Sequence, residues 1–190
     1  MKKSLGAQTF ALPTPAWVIG TYDEAGKPNI MTAAWGAICA STPPCVTVSL
    51  QKPRASYQNI IKHQAFTVNI PSATYAAEVD YAGIVSGKLV DKFAVTGLTP
   101  VRSQLVDAPY VSEFPLILEC RLINTLEVGS HTLFIGEIAD VKAEERVLDD
   151  QGALVVDKVN PLSYSPPDRA YYELGENVGK AFSIGMQFKK

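Results

Sequence analysis

The chain has 190 residues, a formal net charge of −2 at neutral pH and a hydrophobic content of 47%. This length suits a single domain over residues 1–190 and is sufficient to bury a sizeable core. The near-neutral charge gives no reason to expect nucleic acid or an anionic membrane as a partner. No apolar run approaches the roughly 18 residues that a membrane helix needs.

The N-terminus starts with two lysines but lacks the unbroken apolar core and the cleavage pattern of a secretory signal. The three cysteines form an odd set without C-x-x-C spacing, which is typical of reduced thiols in a cytoplasm. His63 and His131 are the two histidines, and neither is near a cysteine in sequence. We therefore expect a cytoplasmic protein without a metal site.

The first predicted element is a β-hairpin. Residues 16–22 and 29–38 flank the turn D-E-A-G-K, in which Gly26 is free to take a positive φ. Strict alternation of apolar and polar residues predicts further strands with one buried face. These strands cover residues 46–51, 66–70, 118–122 and 132–142.

Two helices are predicted between these strands. The first begins with Ser56 as its N-cap and ends before Ala65, and the second covers residues 75–85. No repeat or linker divides the chain. The sequence predicts one mainly β domain, a closed or nearly closed antiparallel barrel with a few short helices.

Several residues have the chemistry of a phosphate site. The start of the helix at Ser56 offers unpaired N–H groups, and Arg54 just before it can add a two-pronged contact. Lys88 and Lys92 could each reach a phosphate as a point charge. A plain helix cap and solvated side chains are the alternatives.

The stretch N-I-M-T-A-A-W favours a planar ligand. Ala33 and Gly36 leave room beside the strand, and Asn29 can offer a donor and an acceptor to a ring edge. Trp35 could be a ligand platform or a core residue, and His131 could contact a ligand or finish a turn.

Motifs for nucleotide-binding loops, hydrolytic triads and zinc proteases are missing from the sequence. Glu119 and Glu137 lie on alternating strands and are expected to face outward, which gives no support to paired-carboxylate catalysis. If the protein is an enzyme, a cofactor supplies its reactivity.

N-I-M-T-A-A-W followed by V-S-L-Q-K-P-R-A-S-Y resembles the flavin reductase-like FMN-binding split barrels, and most of all their flavoredoxin branch. V-D-K-F at 90–93, H-T-L-F-I-G-E-I at 131–138, L-S-Y at 162–164 and Y-Y-E-L-G-E-N-V-G-K-A-F at 171–182 match that branch too. The resemblance covers nearly the whole chain.

The resemblance implies a split β-barrel, antiparallel and Greek-key-like, and a homodimer of six-stranded barrels with one FMN per subunit near the interface. It assigns the ring edge to Asn29 and the backbone of residues 31–33. It assigns the phosphate and the end of the ribityl chain to Arg54, Ser56, Tyr57 and Lys92. The implied FMN-binding residues are Asn29, Met31, Thr32, Ala33, Trp35, Gln51, Arg54, Ser56, Tyr57, Lys92, His131 and Tyr164.

The expected function is an FMN-dependent oxidoreductase. NAD(P)H or a reduced protein would deliver electrons to N5 of FMN, and no catalytic side chain is required. A one-electron carrier that binds FMN without turning over a small substrate is the second hypothesis. A barrel for another planar ligand, such as haem or pyridoxal phosphate, is the third; haem is disfavoured because His131 lacks an obvious partner ligand.

Overall fold

The computed structural model describes residues 1–189, which form mostly antiparallel sheet. Within these residues the strands are β1 (Thr14–Pro15), β2 (Trp17–Tyr22), β3 (Pro28–Ala33), β4 (Gly36–Ser41), β5 (Pro44–Gln51), β6 (Ala65–Ile70), β7 (Pro100–Arg102), β8 (Pro109–Val111), β9 (Leu116–Val128), β10 (His131–Ala143), β11 (Ser163–Ser165) and β12 (Ala170–Tyr172). The α-helices are α1 (Ala55–His63), α2 (Ala76–Ile84), α3 (Lys92–Thr96) and α4 (Val156–Val159). Short 3₁₀ turns lie at Ala73–Tyr75, Glu145–Val147 and Ile184–Phe188.

The main sheet has the strand order β3-β2-β6-β9-β10-β5-β4, and every neighbouring pair is antiparallel. Its two edge strands, β3 and β4, are consecutive in the chain and separated only by Ala34 and Trp35. The backbone N–H of Ser49 on β5 donates to the carbonyl of Trp35 at 2.8 Å. The sheet therefore closes into a barrel, and the single strand predicted for residues 29–38 is in fact two strands with a break at this closure.

The barrel interior confirms the predicted alternation. Val46, Val48 and Leu50 of β5 point into it, together with Phe66 and Phe134. The packing is close: a Cβ added at Gly136 would lie 2.5 Å from the Phe66 ring. These strands form because one face of each buries its β-branched and aromatic residues while the other carries polar ones.

A second apolar cluster lies outside the barrel, where α2 and α3 cover the β2–β3 hairpin. Val79 and Ala82 of α2 and Phe93 of α3 pack there against Val18 and Ile30. This layer holds the helices against β3, which brings the residues after α2 close to the start of α1.

The structure corrects two further predictions. Helix α1 begins at Ala55 with Arg54 as its N-cap, so Ser56 lies inside the first turn. Glu119 is fully buried rather than outward-facing, because the chain around Pro109 covers its side of the sheet: its register partner Thr67 donates to the Pro109 carbonyl at 2.6 Å. Lys142 donates to the Glu119 carboxylate at 3.0 Å.

None of the helices within residues 1–189 is long and apolar enough to cross a membrane.

Candidate functional site

Two adjoining pockets open where β3 and β5 meet the start of α1. The first has a volume of about 220 Å³ and reaches from the start of α1 to residues 85–87 and Lys92. The second has a volume of about 230 Å³ and lies between residues 31–35 and His131. Met31, Gln51 and Arg54 line both pockets, so the two pockets lie side by side.

The floor of the first pocket is a buried hydrogen bond. The Asn29 amide nitrogen donates to the Ser56 hydroxyl oxygen at 3.1 Å, and both residues are buried. Ser56 is not the helix cap that the sequence indicated; it lines the pocket and holds Asn29 in place. Its own hydroxyl proton remains available to another acceptor.

Lys92 forms the back of the same pocket. Its ammonium donates to the carbonyls of Ile30 and Ala82 at 2.8 and 2.6 Å, and only 3% of the residue is exposed. Burial, and to a lesser extent the positive charge of Arg54, lowers the pKa of Lys92 to about 8. An ammonium has three N–H donors, so one remains for an anion in the pocket.

Helix α1 adds positive potential from its first turn. Within residues 1–189 no side chain caps this helix. The Tyr57 N–H donates to the Arg54 carbonyl at 3.1 Å, which leaves the N–H groups of Ala55 and Ser56 as unpaired donors beside the pocket. Arg54 is exposed at the rim, and the one hydrogen bond that its side chain makes within residues 1–189 is a long one of 3.4 Å to the Gly83 carbonyl. The described residues that line the two pockets include no carboxylate.

The second pocket has a different character. Ala33 and Ala34 form a wall of small side chains, and the half-buried Trp35 stands beside them. His131 enters from β10 because it pairs in register with Gln51 of β5. Small residues beside an aromatic side chain permit the close approach of a flat group.

Three predicted site residues have other surroundings. Tyr57 points into the barrel core, where its ring meets Phe134 at 5.1 Å. Thr32 lines the second pocket, but its hydroxyl donates to the Val79 carbonyl. Tyr164 lies in a separate pocket beside Tyr171 and the N-terminal segment.

In the segment between α2 and α3, sequence reasoning singled out Lys88 and missed the residues just before it. Val85, Ser86 and Gly87 line the first pocket, and a Cβ at Gly87 would lie 1.8 Å from the Asn29 side-chain oxygen. The Ser-Gly pair before Lys88 is the sequence signal that could have identified these pocket residues, because small residues allow close approach to a ligand. The charge of Lys88 drew attention away from it. Lys88 itself lines a neighbouring cavity, while Lys92 lines the pocket with Arg54.

A family model described as "Flavin reductase like domain" matches residues 9–173. The chain belongs to the flavin reductase-like family. The flavoredoxin of Desulfovibrio vulgaris (Miyazaki F) is 53% identical and superposes with a TM-score of 0.94, covering 97% of this chain and 100% of that one. A flavoredoxin from Methanosarcina acetivorans is 32% identical with a TM-score of 0.92, covering 98% of each chain.

An FMN-binding protein from Thermus thermophilus shares the fold of this flavin reductase-like chain at 22% identity, with a TM-score of 0.79 over 95% of this chain and 98% of that one. Uncharacterized curated relatives from Archaeoglobus fulgidus and Aeropyrum pernix are 36% and 29% identical over 60% and 77% of this chain. These alignments cover 65% and 56% of the two relatives, so the chain spans less than two thirds of their length.

The donor set fits the kind of cofactor that the family name implies. A flavin mononucleotide needs a flat slot continuous with an anion site. The second pocket offers the small-residue wall and Trp35, and the first offers Arg54, Lys92 and the unpaired N–H groups of α1. Cationic donors without a competing carboxylate are suited to a phosphate.

Proposed function

We propose that this flavin reductase-like protein is an FMN-dependent oxidoreductase. It would pass electrons from NAD(P)H or a reduced protein donor through FMN to an acceptor. The observation that carries the proposal is that the cationic pocket lies beside the flat pocket, with Met31, Gln51 and Arg54 lining both. Flavoredoxins with the same fold at 53% and 32% identity support it.

Each half of the site would bind one end of the cofactor. Arg54 and Lys92 would hold the phosphate, with the first N–H groups of α1 as further donors. Asn29, fixed by Ser56, would present its amide to the ribityl chain or the ring edge. Trp35 and His131 would border the ring in the flat pocket.

Bound FMN would supply the hydride and single-electron chemistry of its ring. The protein would place the ring and hold it away from water on one side, through the buried residues Met31 and Ala33. Hydride transfer between a nicotinamide and a flavin needs no protein acid or base, so we assign no catalytic side chain.

A spectrum of the purified protein followed by anaerobic titration with NADH and NADPH tests this function. The expected result is a flavin absorbance band that bleaches with at least one nicotinamide. Protein that stays colourless after FMN addition and desalting would contradict FMN binding. A band that bleaches only with a reduced ferredoxin-like donor would instead identify an electron carrier.

We also propose that the protein forms a homodimer. Thr132 and Phe134 of β10 point into the core, so His131, Leu133 and Ile135 point to the opposite side of the sheet. Their neighbours Leu126 and Val128 on β9 are 56% and 59% exposed. We call Leu126, Val128, Leu133 and Ile135 the outer sheet face.

The outer sheet face borders the site, since His131 belongs to the same side of β10 and lines the flat pocket. Contiguous exposed apolar residues mark an interaction surface. A second copy on this face would lie beside the flavin. Light scattering coupled to size-exclusion chromatography should give twice the chain mass of 20.5 kDa, and a monomer at micromolar concentration would contradict the dimer.

A further inference from the structure

The C-terminal arm, residues 174–189, lies outside the packed body of the molecule. Every residue of the arm is exposed, although several of its side chains are large and apolar. Val178 is 90% exposed and Phe182 is completely exposed at 102%. Ile184, Met186 and Phe188 are exposed as well. So many apolar side chains in one segment are characteristic of a contact surface.

The arm makes only local hydrogen bonds in the part of the chain that the structure describes. The Gly179 N–H donates to the Asn177 side chain at 2.8 Å, and the other bonds join residues 180–189 to one another. Just before the arm, Asn160 donates to Glu173 at 3.0 Å. Leu174 and Gly175, at its start, still border a pocket of the body. Beyond them the arm's path is not fixed by hydrogen bonds to its own barrel.

A relative nevertheless has residues aligned with the arm. The family match ends at residue 173, before the arm. The alignment with the Desulfovibrio vulgaris flavoredoxin covers 97% of the chain, and the 3% that it leaves out is shorter than the arm. At least ten of the sixteen arm residues are therefore aligned with residues of that structure. An apolar segment that a relative also has, and that makes no hydrogen bonds to its own barrel within residues 1–189, is suited to packing on another surface.

We propose that the arm docks on a second copy of this chain, next to the partner's outer sheet face. The inference rests on the proposed homodimer and adds to it an exchange of arms between the two protomers. The same chain carries both an exposed apolar arm and an exposed apolar face. In a dimer with a two-fold axis, the arm of each protomer would cover the outer sheet face of the other. The seven residues 174–180 that precede the terminal turns span up to about 25 Å when extended.

The arm contains one trypsin site before its apolar end, Lys180–Ala181, which gives a direct measurement on the full chain. In the dimer we expect cleavage at this bond to be slow. Replacing two anchors, Phe182→Ser with Phe188→Ser, should speed that cleavage about tenfold or more, because the arm loses its apolar contacts. Val95→Ser is the control: Val95 is 58% exposed on α3, outside the arm, and its replacement should leave the rate unchanged.

Crosslinking of isotope-mixed protein distinguishes an arm that packs on the partner protomer from one that packs on its own barrel. ¹⁵N-labelled and unlabelled chains are unfolded, refolded together and treated with an amine crosslinker. Links from Lys180 to barrel lysines should join labelled to unlabelled chains in about half of the products. Links only within one isotope would overturn the proposal.

The outcomes also distinguish this inference from the dimer itself. A dimer in which wild-type Lys180–Ala181 is cut as fast as in the double variant would overturn the arm exchange and leave the dimer intact. A monomer by light scattering would overturn both.

Discussion

The side-chain nitrogen of Asn29 donates to the hydroxyl oxygen of Ser56 at 3.1 Å, and this bond joins β3 to the first turn of α1. Both residues are buried, at 8% and 0% exposure. The strand that forms the flat pocket and the helix that forms the anion pocket are thereby fixed to one another. The geometry between the two halves of the site depends on this contact.

Gly87→Ala should disturb that contact. The new Cβ would lie 1.8 Å from the Asn29 oxygen, so the Asn29 side chain would have to move away from Ser56. We expect FMN and riboflavin both to bind about tenfold more weakly, the scale of one lost hydrogen bond, as measured by quenching of flavin fluorescence. Gly175→Ala is the control because nothing lies within 4 Å of its Cβ position. Unchanged affinity for both flavins would contradict the role of Asn29.

Arg54→Ala should separate phosphate binding from ring binding. Arg54 is exposed at the rim of the anion pocket, so its removal leaves the fold intact. Loss of a charge-assisted contact should weaken FMN by about 1.5–3 kcal/mol. Riboflavin, which lacks the phosphate, should bind within about twofold of wild type. Arg102→Ala is a matched control away from the two pockets, and equal losses for both ligands would contradict the assignment.

The affinity for FMN should fall above pH 8. The pKa of Lys92 is lowered to about 8, so the free protein loses this positive charge as the pH rises through that value. A bound phosphate favours the charged form, so affinity is highest below pH 8 and declines above it by up to about tenfold per pH unit. Isothermal titration calorimetry across pH 7 to 10 measures the decline, with riboflavin as a control that should stay flat.

The same titration tests the contribution of Arg54 to the Lys92 pKa. The Arg54 charge helps to lower that pKa, so Arg54→Ala should move the start of the decline to higher pH. An FMN affinity that is constant to pH 10 would show that the Lys92 ammonium does not contact the phosphate.

Lys142→Met should destabilise the barrel. Glu119 is fully buried, one of its carboxylate oxygens has no partner within residues 1–189, and Lys142 donates to the other at 3.0 Å. Removing the lysine leaves the buried Glu119 carboxylate without a cationic partner. The free energy of unfolding, measured by urea denaturation, should therefore fall by about 3–5 kcal/mol. Glu119→Gln combined with Lys142→Met should recover part of the loss because the buried charge is gone. A double variant no more stable than Lys142→Met would contradict this account.

Much of the barrel was predictable because its strands alternate strictly. Val46, Val48 and Leu50 were expected on one face and lie in the core, and the hairpin turn has Gly26 at a φ of +78°. The same local reasoning failed for Glu119. Alternation shows only that Glu119 lies on the opposite face of the sheet from Cys120. Whether that side meets solvent depends on the distant segment around Pro109.

The site shows the same division. The residue types for a planar ligand and a phosphate were readable in residues 28–57, and the structure gathers Asn29, Trp35 and Arg54 around two adjoining pockets. The roles of Ser56 and Tyr57 were not readable there. Whether a side chain on α1 points to the pocket, behind it or into the core depends on how the helix is rotated against the barrel.

By itself the sequence determined the alternating strands, the short helices and the chemical character of the site, because these follow from local periodicity and side-chain chemistry. Only the tertiary structure decided that Lys92 reaches the carbonyls of Ile30 and Ala82, that Ser86 and Gly87 complete the anion pocket, and that residues 174–189 are left exposed. Those outcomes depend on contacts between segments that are far apart in the chain. How the barrel and its helices pack decides which of these segments meet.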